Sequence, residues 1–323
     1  MRVLDGSKRH ARTQLRDGYD VFRLERMGNN VSPRTLEYYD LRIGEFLDWI
    51  EREWPAVERF EDLQVDHLRA FRAYMAARTR QDGKPLQPAT LHASHRSTHT
   101  FLAWAENEGY TVDGRMLRLR PPKRPRKEPT LFHITQLRAI LAACERPSEA
   151  LAVRLLVGGG LRISEVAGLA VMAPDGLGDL MLDSLERGRA ELRVRWDAGA
   201  KGRKSRRVPI TPQLALAVKR YIARDRPRAV GDTLLINAYG RPYHKWGIDS
   251  MMDRLEKRVG FHVHAHAFRH TFATVATQLG WNLEKVRAAM GHADYSVLLR
   301  YVYMSSERDL GPMDGWAEYV VRP

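Results

Sequence analysis

Apolar residues recur in the first third of the chain at the spacing of amphipathic helices. The clearest stripe consists of Leu36, Tyr39, Ile43, Phe46 and Ile50. Ser32 and Pro33 precede it, and a serine cap followed by proline suits the start of a helix. A second helix starts with a cap at Asp66, and a third runs over 88–108. The pattern therefore predicts a helical N-terminal unit.

The hydrophobic pattern changes between residues 191 and 210. Polar and apolar side chains alternate over 191–196, and Val208, Pro209 and Ile210 form an apolar return segment. Because alternation with a period of two is typical of strands, this stretch predicts a β-hairpin. Helical stripes flank it on both sides, and one of them begins with a cap at Thr135. The predicted fold is mainly α, with a small β-sheet or hairpin in the second half.

Residues 115–127, RMLRLRPPKRPRK, contain seven basic residues, three prolines and no acidic residue. The prolines disfavour a helix or a central strand, so we predict an extended basic linker over 115–130. It separates a helical domain over 31–114 from a second domain over 131–323, and an extension with one short helix occupies 1–30. A basic linker between two folded units can close around DNA. Its candidate DNA contacts are Arg120, Lys123, Arg124, Arg126 and Lys127.

The 323 residues include 53 Lys and Arg against 39 Asp and Glu, which gives a formal net charge of +14 at pH 7. This excess indicates a polyanionic partner, and we favour nucleic acid over an anionic membrane surface or a merely basic soluble protein. The single Cys144 excludes an internal disulfide framework, and the sequence has no long apolar span or signal-peptide core. We therefore expect a cytoplasmic, nucleoid-associated protein that makes no membrane contact.

The front half of the third predicted helix is polar and rich in histidine. Between His92 and His99 only Ala93 is apolar. A polar face of this kind beside an apolar body can lie against DNA phosphates, with His95 and Arg96 as candidate contacts. An ordinary solvated helix face is the alternative interpretation.

Four short segments carry groups suited to phosphate chemistry. In the first, a glycine turn over 158–160 leads into a helix on which Arg162 and Glu165 share a face. The turn lacks the G-x-x-x-x-G-K-[ST] spacing of a nucleotide-binding loop. In the second, five of the seven residues over 201–207 are basic, and a hairpin tip there can enter a groove of duplex DNA. A surface ion pair and a solvated loop are the alternatives.

The third segment, 262–270, contains alternating histidines and places His266 and Arg269 on one helical face. We disfavour a metal site there, because we find no carboxylate or cysteine nearby to complete one. In the fourth segment Gly291 ends a helix, His292 follows, and Tyr301 comes nine residues later. Taken alone, a tyrosine at such a position is typical of a hydrophobic core.

The chain contains a series of motifs in this order: Arg-x-x-Glu, a hairpin lysine, His-x-x-Arg, Gly-His and a final tyrosine. This series resembles the motif series of the tyrosine recombinases. Lambda-type integrases, Xer recombinases and Cre belong to this family. The resemblance covers most of the chain and implies a helical, SAM-like core-binding domain, a basic linker and a tyrosine-recombinase catalytic domain. The gap between Arg162 and Lys201 is longer than in compact relatives, which leaves Lys204 as an alternative to Lys201.

The resemblance also implies a role for each motif residue. Arg162 and Arg269 clamp the scissile phosphate, Tyr301 attacks it, and Glu165 supports the clamp. The other implied catalytic residues are Lys201, His266 and His292, and the hairpin tip adds Arg203 and Lys204 as DNA contacts. The expected product is a 3′-phosphotyrosine, formed without a metal, ATP or another cofactor.

The implied partner is double-stranded DNA with specific recombination sites, bound by two subunits per site and by four in the complete complex. Strand exchange then passes through a Holliday junction, so we expect a site-specific recombinase or integrase of a mobile genetic element. A catalytically silent DNA-binding regulator with the same fold and a type IB topoisomerase-like strand transferase are the alternatives. In the tail, Trp316 and Tyr319 can pack on a neighbouring subunit or on their own domain.

Overall fold

The computed structural model describes residues 13–125, 128–181, 190–195, 197, 205–226, 229–291 and 308–321. The chain divides into two compact units, Met1–Lys127 and Glu128–Pro323. Most described residues are helical, and the strands form a three-stranded sheet. The predicted fold class, mainly α with a small β-sheet and two units, is confirmed. No helix among the described residues is both long enough and apolar enough to cross a bilayer.

The first unit consists of helices around one apolar core. They are α1 (Gln14–Gly28), α2 (Pro33–Glu53), α3 (Val65–Ala77), α4 (Pro88–Asn107) and α5 (Gly114–Leu117). The predicted cap of α2 is confirmed, because the Thr35 amide donates to Ser32 Oγ at 3.2 Å. The predicted cap of α3 is wrong: Gln64 is the capping residue, and Asp66 lies inside the first turn.

Helix α1 belongs to this core. Phe22 is fully buried and packs edge-on against Phe101 and Trp104, with ring centroids 5.7 and 5.5 Å apart. Large aromatic side chains contribute most of the apolar area that such a small core can bury. The N-terminal stretch therefore supplies a packed helix to the first unit.

The basic stretch after residue 114 is held to the first unit at its beginning. Met116 is fully buried, and His99 Nε2 lies 2.8 Å from the Leu117 carbonyl. Arg72 Nη1 donates to the Arg120 carbonyl at 3.1 Å. From Leu119 to Pro125 the chain has neither helix nor strand, as expected where prolines remove backbone donors.

The second unit packs helices against a small antiparallel sheet. The helices are α6 (Ile134–Ala142), α7 (Pro147–Gly159), α8 (Ile163–Gly168), α9 (Pro212–Arg220), α10 (Lys245–Val259), α11 (Ala265–Gln278) and α12 (Leu283–Met290). The strands β1 (Leu180–Met181), β2 (Ala190–Val194) and β3 (Arg206–Ile210) lie in that order. Strand β2 pairs with β3 with Leu192 opposite Val208, so the predicted hairpin is confirmed. The predicted cap of α6 is wrong, because His133 and not Thr135 precedes the helix.

The C-terminal tail packs on its own unit over residues 308–321. Trp316 and Val320 are fully buried there. The indole of Trp316 donates to the Leu310 carbonyl at 3.0 Å, and that of Trp281 donates to the Val321 carbonyl at 2.7 Å. The tail aromatics were expected to pack either on a neighbouring subunit or on their own domain. In the described structure, Trp316 and Tyr319 pack on their own unit.

Candidate active site

A glycine turn places Arg162 at the start of α8. Gly160 has φ +57°, and a Cβ at this position would clash with the ring of Phe272. Glycine is therefore required both for the left-handed backbone and for the close approach of α7 to α11. Glu165 then caps α8, because its carboxylate accepts from the Arg162 amide and from Arg162 Nη1, each at 2.8 Å.

The Glu165 carboxylate is buried between two arginines. Its side chain is 0% exposed, and Arg206 on β3 donates to both of its oxygens at 2.8 Å. Burial raises the pKa of the Glu165 carboxyl, but the hydrogen bonds and charge of Arg206, followed by those of Arg162, bring it below the ordinary value. The carboxylate is consequently ionised and holds both guanidinium groups in fixed positions.

Three arginines meet at the C-terminal end of α12. Arg206 Nε donates to the Ala289 carbonyl at 2.6 Å, Arg269 Nη2 donates to the Met290 carbonyl, and Arg162 Nη2 donates to the Gly291 carbonyl at 3.3 Å. The last carbonyls of a helix have no partner within the helix and carry partial negative charge. The helix end therefore gathers guanidinium groups from α8, β3 and α11 immediately before residue 292.

Arg269 is the most deeply buried of the three, at 3% exposure. Its Nη1 donates to the Gly160 carbonyl at 2.5 Å, two residues before Arg162 in the chain. Arg269 thus connects the turn that starts α8 with the end of α12. The structure brings the predicted residues Arg162, Glu165 and Arg269 together.

His266 joins this group from the first turn of α11. Partial burial of the ring, and then the charges of Arg269 and Arg162, lower the pKa of His266 below its ordinary value. By its accessible surface, His266 is nevertheless an exposed residue. A neutral imidazole beside two arginines can accept a proton at neutral pH.

The histidine run before α11 has a carboxylate neighbour that the sequence interpretation missed. His262 Nδ1 lies 2.6 Å from Glu256 Oε2 on α10, so the expectation that no carboxylate lies nearby is wrong. His264 instead caps α11, because its Nδ1 accepts from the Ala267 amide at 2.9 Å. Within the described part of the chain, no group of three or more His, Cys, Asp or Glu side chains is arranged to hold a metal.

Several predicted site residues lie outside the described residues. They are Arg126, Lys127, Lys201, Arg203, Lys204, His292 and Tyr301. In the first unit, Arg96 is exposed on α4, whereas His95 is only 4% exposed. Arg120, Lys123 and Arg124 are all exposed.

Arg206 is the site residue that the sequence interpretation missed. It was grouped with the basic hairpin tip over 201–207, which we assigned to DNA. Side chains on a strand alternate between faces, so Arg206 shares the face of Val208 and Ile210, both fully or almost fully buried. Continued backwards from Ile210 and Val208, the same alternation predicts that Arg206 faces the core. This was the signal in the sequence that could have identified Arg206.

The described site is suited to binding a tetrahedral oxyanion. Two guanidinium groups with fixed orientations can each donate two parallel hydrogen bonds to phosphate oxygens. Arg162 is held by Glu165 and the Gly291 carbonyl, and Arg269 is held by the Gly160 and Met290 carbonyls. Little reorganisation is therefore required when charge develops on an oxyanion. The arrangement favours chemistry on a phosphate ester.

Comparison with known proteins gives a consistent assignment. The model of the phage integrase family matches residues 132–308. The chain is 30% identical over 298 residues to tyrosine recombinase XerC of Bradyrhizobium diazoefficiens, with 86% of each chain covered. It is 27% identical over 299 residues to XerC of Nitrobacter winogradskyi, with 88% of this chain and 87% of that one covered.

Solved structures resemble the whole fold. A lambda integrase dimer bound to a COC′ core site superposes with TM-score 0.67 at 16% identity, covering 92% of this chain and 96% of that one. The XerH recombinase in a post-cleavage complex with palindromic difH gives TM-score 0.67 at 18% identity, covering 90% and 82%. At these identities the likeness establishes the fold.

Proposed function

The chain belongs to the phage integrase family and is a site-specific tyrosine recombinase, and we propose that Tyr301 is its nucleophile. The observation that carries this proposal is the convergence of Arg162 and Arg269 at the end of α12, with His266 one helical turn before Arg269 on α11. From the end of α12 the chain continues to His292, and Tyr301 follows nine residues later. Tyr301 therefore follows the arginine-bound end of α12 closely in the sequence.

The two arginines bind the scissile phosphodiester. Their charge neutralises an anion that otherwise repels a nucleophile, and their fixed donors stabilise the charge of the transition state. Tyr301 then replaces the 5′ oxygen and forms a 3′-phosphotyrosine. One phosphodiester is exchanged for another, so the reaction needs no ATP, and the guanidinium groups provide charge stabilisation without a metal.

Proton transfer requires a base and an acid. A free tyrosine has a pKa of about 10, so Tyr301 needs a base, and the neutral imidazole of His266 is suited to this role. The leaving 5′ oxygen needs a proton, which Lys201 or Lys204 donates from the hairpin tip. His292 completes the donor set around the phosphate.

The DNA partner is double-stranded and contains specific recombination sites. Arg96, Arg120, Lys123 and Arg124 are exposed cations suited to phosphate contacts, and Arg126, Lys127, Arg203 and Lys204 extend this set in sequence. We leave His95 out, because a ring that is 4% exposed serves packing of the first unit. The relatives crystallised with a core site and with difH support a DNA partner.

The assembly that follows has two subunits per site and four in the complete complex. Sequential strand exchange in that complex passes through a Holliday junction. The protein acts on DNA in the cytoplasm and associates with the nucleoid.

The decisive test is recovery of covalent protein–DNA adducts from cells that express the chain, followed by sequencing of the DNA and mass spectrometry of the attached peptide. We expect the adduct on Tyr301. Tyr301→Phe should abolish it and retain DNA binding, whereas the matched variant Tyr303→Phe should still form it. Adducts that persist in Tyr301→Phe would place the nucleophile elsewhere.

A further inference from the structure

Arg206 connects three parts of the second unit that the reaction needs in fixed positions. Its side chain is 11% exposed, donates to both oxygens of Glu165 at 2.8 Å, and donates from Nε to the Ala289 carbonyl at 2.6 Å. The same carboxylate accepts from Arg162 Nη1 at 2.8 Å. One buried carboxylate is thus shared between two guanidinium groups, of which only Arg162 belongs to the catalytic set implied by the family motifs.

We propose that Arg206 is a positioning residue that keeps the Arg162 guanidinium available for the scissile phosphate. The inference rests on the proposed function. Arg162 and ionised Glu165 alone form a pair without net charge, and Arg206 restores a net positive charge to the group. Without Arg206, the buried carboxylate would interact with Arg162 alone and would compete with the phosphate for it.

The geometry explains how Arg206 can do this without touching DNA. It lies at the start of β3 and points toward the core with Val208. Its Nε contact with Ala289 ties the strand to the end of α12, so its guanidinium cannot follow the carboxylate outward. Arg287 on α12 lies outside the basic hairpin tip and pairs at 2.5 Å with the half-exposed carboxylate of Glu284 on its own helix, and it is therefore the matched control.

The test is single-turnover cleavage at saturating DNA, on a duplex that contains the site recovered by adduct sequencing. We expect Arg206→Gln to lower the cleavage rate at least about 100-fold, as loss of an oriented donor does elsewhere, and Arg287→Gln to stay within about twofold. The double variant Glu165→Gln/Arg206→Gln restores a net positive charge, so it should be at least about tenfold faster than Arg206→Gln.

A second substrate separates this role from a general effect on folding. In this substrate an uncharged methylphosphonate replaces the scissile phosphate. A weaker positive charge at Arg162 should therefore lower the cleavage rate less. There we expect the loss in Arg206→Gln to fall below about tenfold. Equal losses on both substrates, a wild-type rate in Arg206→Gln, or a double variant no faster than the single one would each overturn the proposal.

If Arg206→Gln does not fold, Glu165→Gln serves as the background, because it strands no buried carboxylate. On that background, adding Arg206→Gln should change cleavage less than about tenfold; a larger loss would contradict the proposal. The proposed function is tested separately. If the wild-type chain forms no adduct on Tyr301, that function fails before Arg206 is examined.

Discussion

Helix α4 of the first unit and helix α11 of the second unit have similar polar sequences in their first halves, but their buried polar side chains differ in hydrogen bonding. Both carry histidine, arginine and threonine in their first half, and both bury part of that polar face. On α11, Thr271 Oγ1 donates to the Ala267 carbonyl and accepts from the Phe132 amide, both at 2.9 Å. Arg269 on the same helix donates to the Gly160 and Met290 carbonyls.

On α4, three buried polar atoms have no hydrogen-bond partner among the described residues. They are Ser94 Oγ, His95 Nδ1 and Thr98 Oγ1. A buried polar group without a partner costs about 1–3 kcal/mol, whereas a bonded one stabilises the fold modestly. Burial of polar side chains therefore does not by itself mark an active site in this protein. In the site, the buried charges are bonded to carbonyls and to a carboxylate.

The largest expected effect concerns Glu165, whose buried carboxylate is bonded to both Arg162 and Arg206. Glu165→Gln should lower the unfolding free energy of the second unit by about 3 kcal/mol, because two partly buried arginines lose their common counter-charge. Since the pKa of Glu165 lies below its ordinary value, this stabilisation is present at neutral pH and is lost as the pH falls through the folded-state value.

Hydrogen exchange resolved by peptide in the second unit measures this loss. The control is Glu284→Gln, which removes a half-exposed partner of Arg287 and should cost less than about 0.5 kcal/mol. Equal effects of the two variants would mean that the buried network around Glu165 contributes no more stability than an exposed ion pair.

A matched pair of threonines tests the difference between α4 and α11 and should give stability changes of intermediate size. Thr98 and Thr271 are both fully buried on helices, and valine preserves the shape of each. Thr271→Val should destabilise by about 1–3 kcal/mol, because the Phe132 amide loses its acceptor. Thr98→Val should stabilise by about 1 kcal/mol, because it removes an unbonded hydroxyl. Hydrogen exchange of each unit gives both values, and equal signs would refute the contrast.

Much of this site could be predicted from the sequence, because each catalytic motif is local. Arg162 and Glu165 are three residues apart on one helix turn, and His266 and Arg269 have the same spacing on α11. Gly160 and Gly291 indicate left-handed helix ends, and the structure has φ +57° and +61° there. Their order and spacing resemble the motif series of the tyrosine recombinases, and this resemblance is what groups them in the sequence.

Contacts between distant residues could not be predicted in this way. Arg206 is 41 residues from Glu165, and Arg269 is 109 residues from Gly160. Which carbonyl an arginine bonds depends on tertiary packing that no local pattern encodes. The same holds for α4, where a polar stretch looked suited to DNA but the fold buries Ser94, His95 and Thr98.

The smallest expected effect at neutral pH comes from His95 on α4, whose contribution is a pH dependence that appears only below about pH 6.5. Burial, followed by the charge of Arg72, lowers the pKa of His95 to about 4. A histidine in the unfolded chain titrates near 6.5, so below about pH 6.5 the unfolded state binds a proton that the folded state excludes. The stability of the first unit should therefore fall as the pH drops from about 6.5 to 4 and show no His95 contribution above that range.

The measurement is urea unfolding of the first unit at a series of pH values, followed by hydrogen exchange at one fixed labelling pH. His95→Gln should flatten the dependence of stability on pH, whereas Ser94→Ala should keep it. A slope that persists in His95→Gln would show that another group titrates, and that α4 tolerates a charged His95.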